Sequence, residues 1–334
     1  MKEQVRALRP TSTLKGREKE MTIPNIRSLL PLFGGIGLVL ALTACDEDLT
    51  GSSDPGTGAA SKNYHEKGPY GAPTRLLNQA QGLYSGGAEA LLPGGNGHDP
   101  NAYTLYFPSR RSTNKTFPIL TFGNGTFCSP TFYDEFIGHV VSYGYIVIAP
   151  NTSNTGSGEE MLKGVDWVIA QNSNPTSPLY GIVDTEHVGA FGHSQGGAGT
   201  CRAGADPRID AIATLSGTSS VSAIKCPALF MTTGGEAGSS PDARIESTLS
   251  AASSPSIYGI TVSGGHDEYT DIVDQGVAGL IGLISNDGLQ SRGAVTAWFD
   301  WQLKGDKQAE ELFRRKPCAF CDDEHLQRLV LDGF

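Results

Sequence analysis

The sequence predicts a single α/β domain with a mostly parallel sheet covered by helices on both faces. Three observations point there. Strand-like and helix-like segments alternate from residue 101 onward. The clearest strand, Tyr145-Ile146-Val147-Ile148-Ala149, is apolar at every position, as expected where both faces of a strand are buried. And 334 residues with 38% hydrophobic and 18% charged side chains suffice for one large core.

In chain order, residues 102–107 and 117–122 read as strands, the second ending at Gly123-Asn124-Gly125-Thr126. Residues 133–143 have helical spacing through Phe136, Ile137, Val140 and Val141. The buried strand at 145–149 follows, then a helix over 159–171 with Met161, Leu162, Val165, Val168 and Ile169 on one side. Residues 187–191 form a strand that runs into Gly192-His193-Ser194-Gln195-Gly196-Gly197 and a helix of small residues. Further strands are expected at 209–215, 226–232 and 257–262, the last of these closing the sheet, with a helix near 242–252. Two helical segments end the domain, the clearer holding Val295, Trp298, Phe299, Trp301 and Leu303. No internal repeat is visible.

Charge excludes one class of function. The net charge is −10, and the first 44 residues are basic, with seven Lys/Arg against three Asp/Glu, so the remainder is more acidic still. A basic nucleic-acid-binding surface does not fit that balance. Gly, at 43 residues, is about twice its usual share, a small-residue, turn-rich composition common in exported proteins.

The one long apolar run, residues 29–44, follows Arg27, contains Pro31 and is short for a membrane span. Those are the parts of a secretory signal peptide, and Met21 offers an alternative start of ordinary signal-peptide length. The run ends in Leu42-Thr43-Ala44-Cys45, which resembles the bacterial lipobox and implies lipidation of Cys45, export, and a lipid-anchored place in the cell envelope. Residues 45–63, acidic and then Gly/Ser-rich, read as a tether, leaving 64–334 as the folded domain with a short Cys-containing tail. Of the other cysteines, Cys128, Cys201, Cys226, Cys318 and Cys321, an oxidising compartment predicts one or two disulfides. Cys318-Ala-Phe-Cys321 with His325 offers only three metal ligands, so a C-terminal disulfide is expected instead.

G-x-S-x-G occurs at Gly192-His193-Ser194-Gln195-Gly196. In a chain so rich in Gly and Ser the pattern alone is a weak signal. Its position between a buried strand and a helix marks Ser194 as the nucleophile of a strained elbow. A serine hydroxyl needs a base, and His266, in Gly264-Gly265-His266-Asp267 beyond the strand at 257–262, is placed to supply one. The third member should follow a strand between Ser and His in the chain. Glu236 is the first carboxylate past 226–232, with Asp242 in reserve, whereas the loop at 216–223 has no acid. Oxyanion donors are expected at the N–H of Gln195 and at the N–H of Thr126 or Gly125.

These residues resemble the α/β-hydrolase branch that contains bacterial cutinases, polyester hydrolases and chlorophyllase-like or dienelactone-hydrolase-like esterases. The match extends over roughly residues 64–321 and is most specific at Pro178-Leu179-Tyr180-Gly181-Ile182-Val183-Asp184-Thr185, close to a P-x-Y-G-x-V-D-T run of that family. The resemblance implies the α/β-hydrolase fold and triad roles for Ser194, His266 and the carboxylate near Glu236. Three features depart from the polyester hydrolases. They usually carry Asp in the acid loop, an aromatic residue in the oxyanion loop, and Trp beyond the strand after the nucleophile helix, where this chain has Glu236, Gly-Asn-Gly-Thr and Ser216-Gly217-Thr218-Ser219. Phe127 and Tyr133 are the candidates to line the cleft. The short connection between the strands at 209–215 and 226–232 leaves no room for a large lid, so an open cleft for bulky or polymeric acyl substrates is expected. The resulting expectation is a serine carboxylic-ester hydrolase that needs no cofactor. Amide hydrolysis or acyl transfer by the same triad, and a non-catalytic lipoprotein on a hydrolase scaffold, are the alternatives.

Overall fold

The computed structural model describes residues 63–79, 82–85, 102–109, 114–152, 154–238, 240–271 and 289–334. The expected leader, Cys45 and all of the expected tether but its last residue lie outside the described residues. Among the described residues ten strands form one sheet: β1 (Pro73–Gln79), β2 (Gly82–Ser85), β3 (Ala102–Pro108), β4 (Phe117–Gly123), β5 (Ile146–Pro150), β6 (Val183–His193), β7 (Ala211–Leu215), β8 (Ala228–Thr232), β9 (Ser256–Thr261) and β10 (Leu326–Asp332). Their order across the sheet is β10-β9-β8-β7-β6-β4-β5-β3-β1-β2. The six strands from β9 to β5 in that order are mutually parallel. Antiparallel strands flank them, β10 on one edge and β3, β1 and β2 on the other.

The inner parallel strands are buried over most of their length because their side chains alternate between two separate cores, the polar start of β6 excepted. In β5, Val147 and Ala149 join one core while Ile146 and Ile148 join the other. The first core is closed by α1 (Asp134–Ser142), α6 (Leu289–Lys304) and α7 (Lys307–Arg314), through residues such as Val140, Trp298 and Phe313. The second is closed by α2 (Glu159–Gln171), α3 (Gln195–Ala203) and α5 (Pro241–Ala251), through Met161, Val165, Cys201 and Leu249. Helices therefore cover both faces, as the sequence predicts.

The sheet is wider than the expected one. The strand at 257–262 is not the last, because the tail returns as β10 along its edge. Only Leu326 in β10 is fully buried, so its sequence lacks the all-apolar character of the inner strands. Between β7 and β8 the chain makes only a 3-10 turn, Val221–Ala223, with no inserted helical lid. Cys318 and Cys321 are joined in a disulfide, while Cys128, Cys201 and Cys226 are free thiols. Among the described residues no helix is long and apolar enough to cross a membrane.

What positions the site is strand order. The chain leaves β4 towards β5 on one side and reaches β6 on the other. The loops beyond the carboxyl ends of β4 and β6 therefore stand at the point where the strand order reverses, the place where open α/β sheets put their ligands.

Candidate active site

Ser194 stands between the end of β6 and the start of α3 with φ 54° and ψ −116°, a conformation that non-glycine residues rarely adopt. The glycines around it are required by close approach. A Cβ on Gly192 would stand 2.6 Å from the Gly196 carbonyl oxygen, and one on Gly196 would collide with the Gly123 carbonyl at the end of β4. A Cβ on Gly217 would collide with the carbonyl of Ser194 itself. The turn is locked from outside by the Ser194 N–H, which donates to the Leu215 carbonyl at 2.9 Å.

His266 opens a short 3-10 turn (His266–Tyr269) in the loop beyond β9. Its Nε2 lies 2.7 Å from the Ser194 Oγ, and its Nδ1 lies 2.7 Å from the Glu236 Oε1. With the proton on Nδ1, the ring donates to the carboxylate and accepts from the serine hydroxyl. Glu236 sits in α4 (Gly234–Ala237), a single helical turn just past β8, capped by the Thr233 side chain. Thus Ser194, Glu236 and His266 hang from the carboxyl ends of β6, β8 and β9.

The other Glu236 oxygen is held by the Ser216 hydroxyl and lies 3.3 Å from the Thr233 Oγ1. Burial pushes the Glu236 carboxyl up, but the hydrogen bonds from Ser216 and His266 outweigh it and hold the group below the usual carboxylate range. Glu236 is therefore anionic at neutral pH. The reserve acid, Asp242, is elsewhere, in the first turn of α5 and paired with Arg328 of β10.

The loop after β4 is fixed by Asn124. Its buried side-chain amide donates to the carbonyls of Pro150 and Thr152 at 2.7 and 2.9 Å, and its own carbonyl accepts from the Thr155 hydroxyl. The Gly125 N–H is already spent on the Tyr133 Oη at 3.0 Å. The N–H groups of Thr126 and Gln195 have no acceptor among the described residues. Phe127, next in the loop, is 89% exposed, whereas Tyr133 is fully buried. The expectation that Tyr133 lines the cleft is thus corrected: its ring packs beneath the loop and only its hydroxyl works.

That hydroxyl belongs to a chain of contacts the sequence does not reveal. Tyr133 Oη lies 2.9 Å from Nδ1 of buried His193, whose Nε2 lies 2.7 Å from the backbone carbonyl of His266. A neutral His193 with its proton on Nε2 satisfies both, donating to the carbonyl and accepting from the tyrosine. Gly125, Tyr133, His193 and His266 are joined in one hydrogen-bonded line. Burial, followed by the nearby His266 charge, lowers the His193 pKa to about 4.

A serine hydroxyl bonded to an imidazole that is itself oriented by a carboxylate can lose its proton as it attacks a carbonyl carbon. Among known proteins, a family model described as PETase, PET hydrolase-like, matches residues 59–248, more than half the chain. The matched segment contains Ser194 and Glu236 and ends before His266. No curated protein matches the chain.

Buried His193 makes acid stability a measurable property of the site. Unfolded, a histidine takes up its proton near pH 6.5, but folded His193 resists protonation down to about pH 4. Below pH 6.5 the unfolded state binds more protons, so stability falls as pH drops through that window, by on the order of 3 kcal/mol for this residue. Glu236, with its lowered pKa, loses its share at more acid pH still. Denaturant midpoints measured from pH 7.5 to 4 should decline, and His193→Gln should flatten the decline. An unchanged slope in the variant would contradict this assignment.

Proposed function

Because the chain belongs to the PET hydrolase-like family of the α/β-hydrolase superfamily, we propose that it is a serine hydrolase of carboxylic esters, including polyesters, working through an acyl-enzyme. The observation that carries this reading is the pair of 2.7 Å contacts that join Ser194 to His266 and His266 to Glu236.

Ser194 attacks the ester carbonyl while His266 Nε2 takes its proton. The developing imidazolium is stabilised by Glu236, which also fixes the tautomer. The oxyanion is received by the N–H groups of Gln195 and Thr126; Gly125, engaged with Tyr133, supports the loop rather than donating. His266 then returns its proton to the leaving alcohol. Water, activated by the same imidazole, attacks the acyl-enzyme and releases the acid. No cofactor takes part.

Substrate breadth follows from access. His266 is 45% exposed, the β7–β8 connection carries no lid, and Phe127 presents an apolar ring to solvent beside the donor loop. These features suit an ester held on a larger or polymeric body. Glu236 stands where the polyester hydrolases usually have Asp; its longer side chain needs the Ser216 and Thr233 hydroxyls to hold it at the imidazole.

Hydrolysis of p-nitrophenyl esters from C2 to C16 tests the chemistry. Ser194→Ala should lower kcat by roughly 10⁴-fold or more, and Glu236→Gln by about 10³- to 10⁴-fold with little change in KM. Retained activity in Ser194→Ala would overturn the mechanism, and cleavage of anilides in preference to esters would favour the amidase alternative.

We propose further that the protein is exported and held to a membrane of the bacterial envelope by lipid on Cys45, a reading supported by the Leu42-Thr43-Ala44-Cys45 sequence. Expressed in a bacterial host, it should partition into the detergent phase and incorporate labelled palmitate, and Cys45→Ser should lose both. Identical partitioning of the variant would contradict the anchor.

A further inference from the structure

Far from Ser194 in the sequence, three side chains from the two ends of the domain converge. His65 lies near the start of the described chain, and Asp323 and His325 lie between the disulfide and β10. Their potential ligand atoms, one from each residue, all stand within 4.8 Å of one another. His65 Nε2 and Asp323 Oδ2 are 2.8 Å apart, and the His65 and His325 rings lie with centroids 4.6 Å apart, their planes tilted at 56°. None of the three contributes to the ester chemistry.

We propose that His65, Asp323 and His325 form a binding site for a divalent transition-metal ion of the zinc class. Two imidazoles and one carboxylate are a donor set suited to that ion, with ligand distances of about 2.0–2.2 Å. An ion pair alone would use Asp323 and a single histidine; here a second imidazole is brought to the same carboxylate.

Several constraints build the site in advance. Asp323 Oδ1 accepts the backbone N–H of His325 at 2.8 Å, which leaves Oδ2 turned to His65. The His325 carbonyl accepts the N–H of Val262 at 3.0 Å, anchoring the segment to the end of β9. On the other side, Phe320, inside the Cys318–Cys321 loop, sets its ring edge-on to His65. A Cβ on Gly293 of α6 would stand 3.0 Å from the His65 Nδ1, so glycine there leaves the ring its place. Asp323 is largely covered, with 15% of its side chain exposed, while His65 is 29% exposed. An ion can thus enter from solvent and rest on a partly desolvated carboxylate. Glu324 adds negative charge beside it, its Oε1 3.9 Å from the His325 Nε2.

The sequence signal here was half visible. Cys318, Cys321 and His325 suggest three ligands of a metal site, but the cysteines are consumed in the disulfide. His325 turns instead to His65, some 260 residues earlier, a pairing that no local spacing could disclose. The ion would clasp the first residues of the domain to the segment entering edge strand β10. Closing so long a loop restricts the unfolded chain, and that is where a metal clip stabilises most.

The test uses the intact protein stripped with EDTA and dialysed free of chelator. Titration with ZnCl2 should show one ion bound per chain by calorimetry and a rise in Tm that grows with the logarithm of free zinc. Co²⁺ should give the visible d–d absorption of a low-symmetry N/O site. His325→Gln and His65→Gln should each abolish the Tm rise and weaken binding at least tenfold. Should either variant fold poorly, the Co²⁺ spectrum of the other decides. No zinc-dependent Tm rise in the wild type, or the same rise and stoichiometry in both variants, would overturn the proposal.

Discussion

Everything around the candidate site depends on how closely four backbone segments approach one another at Ser194. The φ and ψ of Ser194 are themselves strained, and that strain persists only because surrounding packing over-determines it. Gly196 lies against Gly123 at the end of β4, Gly217 lies against the Ser194 carbonyl, and Gly192 lies against Gly196. Each contact leaves no space for a methyl group. The same packing that lifts the hydroxyl out of the turn draws the loop after β4 beside it. The proposed nucleophile and the proposed oxyanion donors are therefore positioned by one set of contacts.

Above this rigid floor Glu236 and His266 arrive on loops, and hydrogen bonds do the positioning. Glu236 is reached by Ser216, Thr233 and His266 from three different segments. The hydroxyls hold a carboxylate that burial would otherwise favour as the neutral acid. On the opposite side, His193 holds the His266 backbone while Tyr133 holds Gly125. In the proposed mechanism this line would keep the base and the donor loop in register as the oxyanion forms.

Much of this was legible in the sequence because the parallel strands bury both faces. Apolar runs such as 145–149 can be read directly, and the elbow follows where 187–191 ends. The order of Ser194, Glu236 and His266 along the chain, each after a strand, selected the three residues that the structure brings together. Edge strands were harder. Exposed Gln327 and Arg328 lie within β10, so its pattern resembles a polar tail. The supporting hydroxyls and His193 were illegible for a different reason. His193 occupies a variable position of the elbow pattern, Ser216 lies in a loop noted only for lacking a carboxylate, and Tyr133 looks like the start of a helix. Their roles arise from contacts between segments 20 to 73 residues apart, which carry no spacing signal. Choosing Thr126 over Gly125 likewise required seeing where the Gly125 N–H points.

The central claim is that Ser194 is an activated nucleophile. The most direct measurement is reaction of the folded protein with a fluorophosphonate probe, followed by peptide mass mapping, with His266→Ala alongside. The account predicts one probe per chain on the peptide containing Ser194, and labelling slowed by orders of magnitude when His266 is removed. A folded protein that takes no label, or takes it on another serine, would contradict the account.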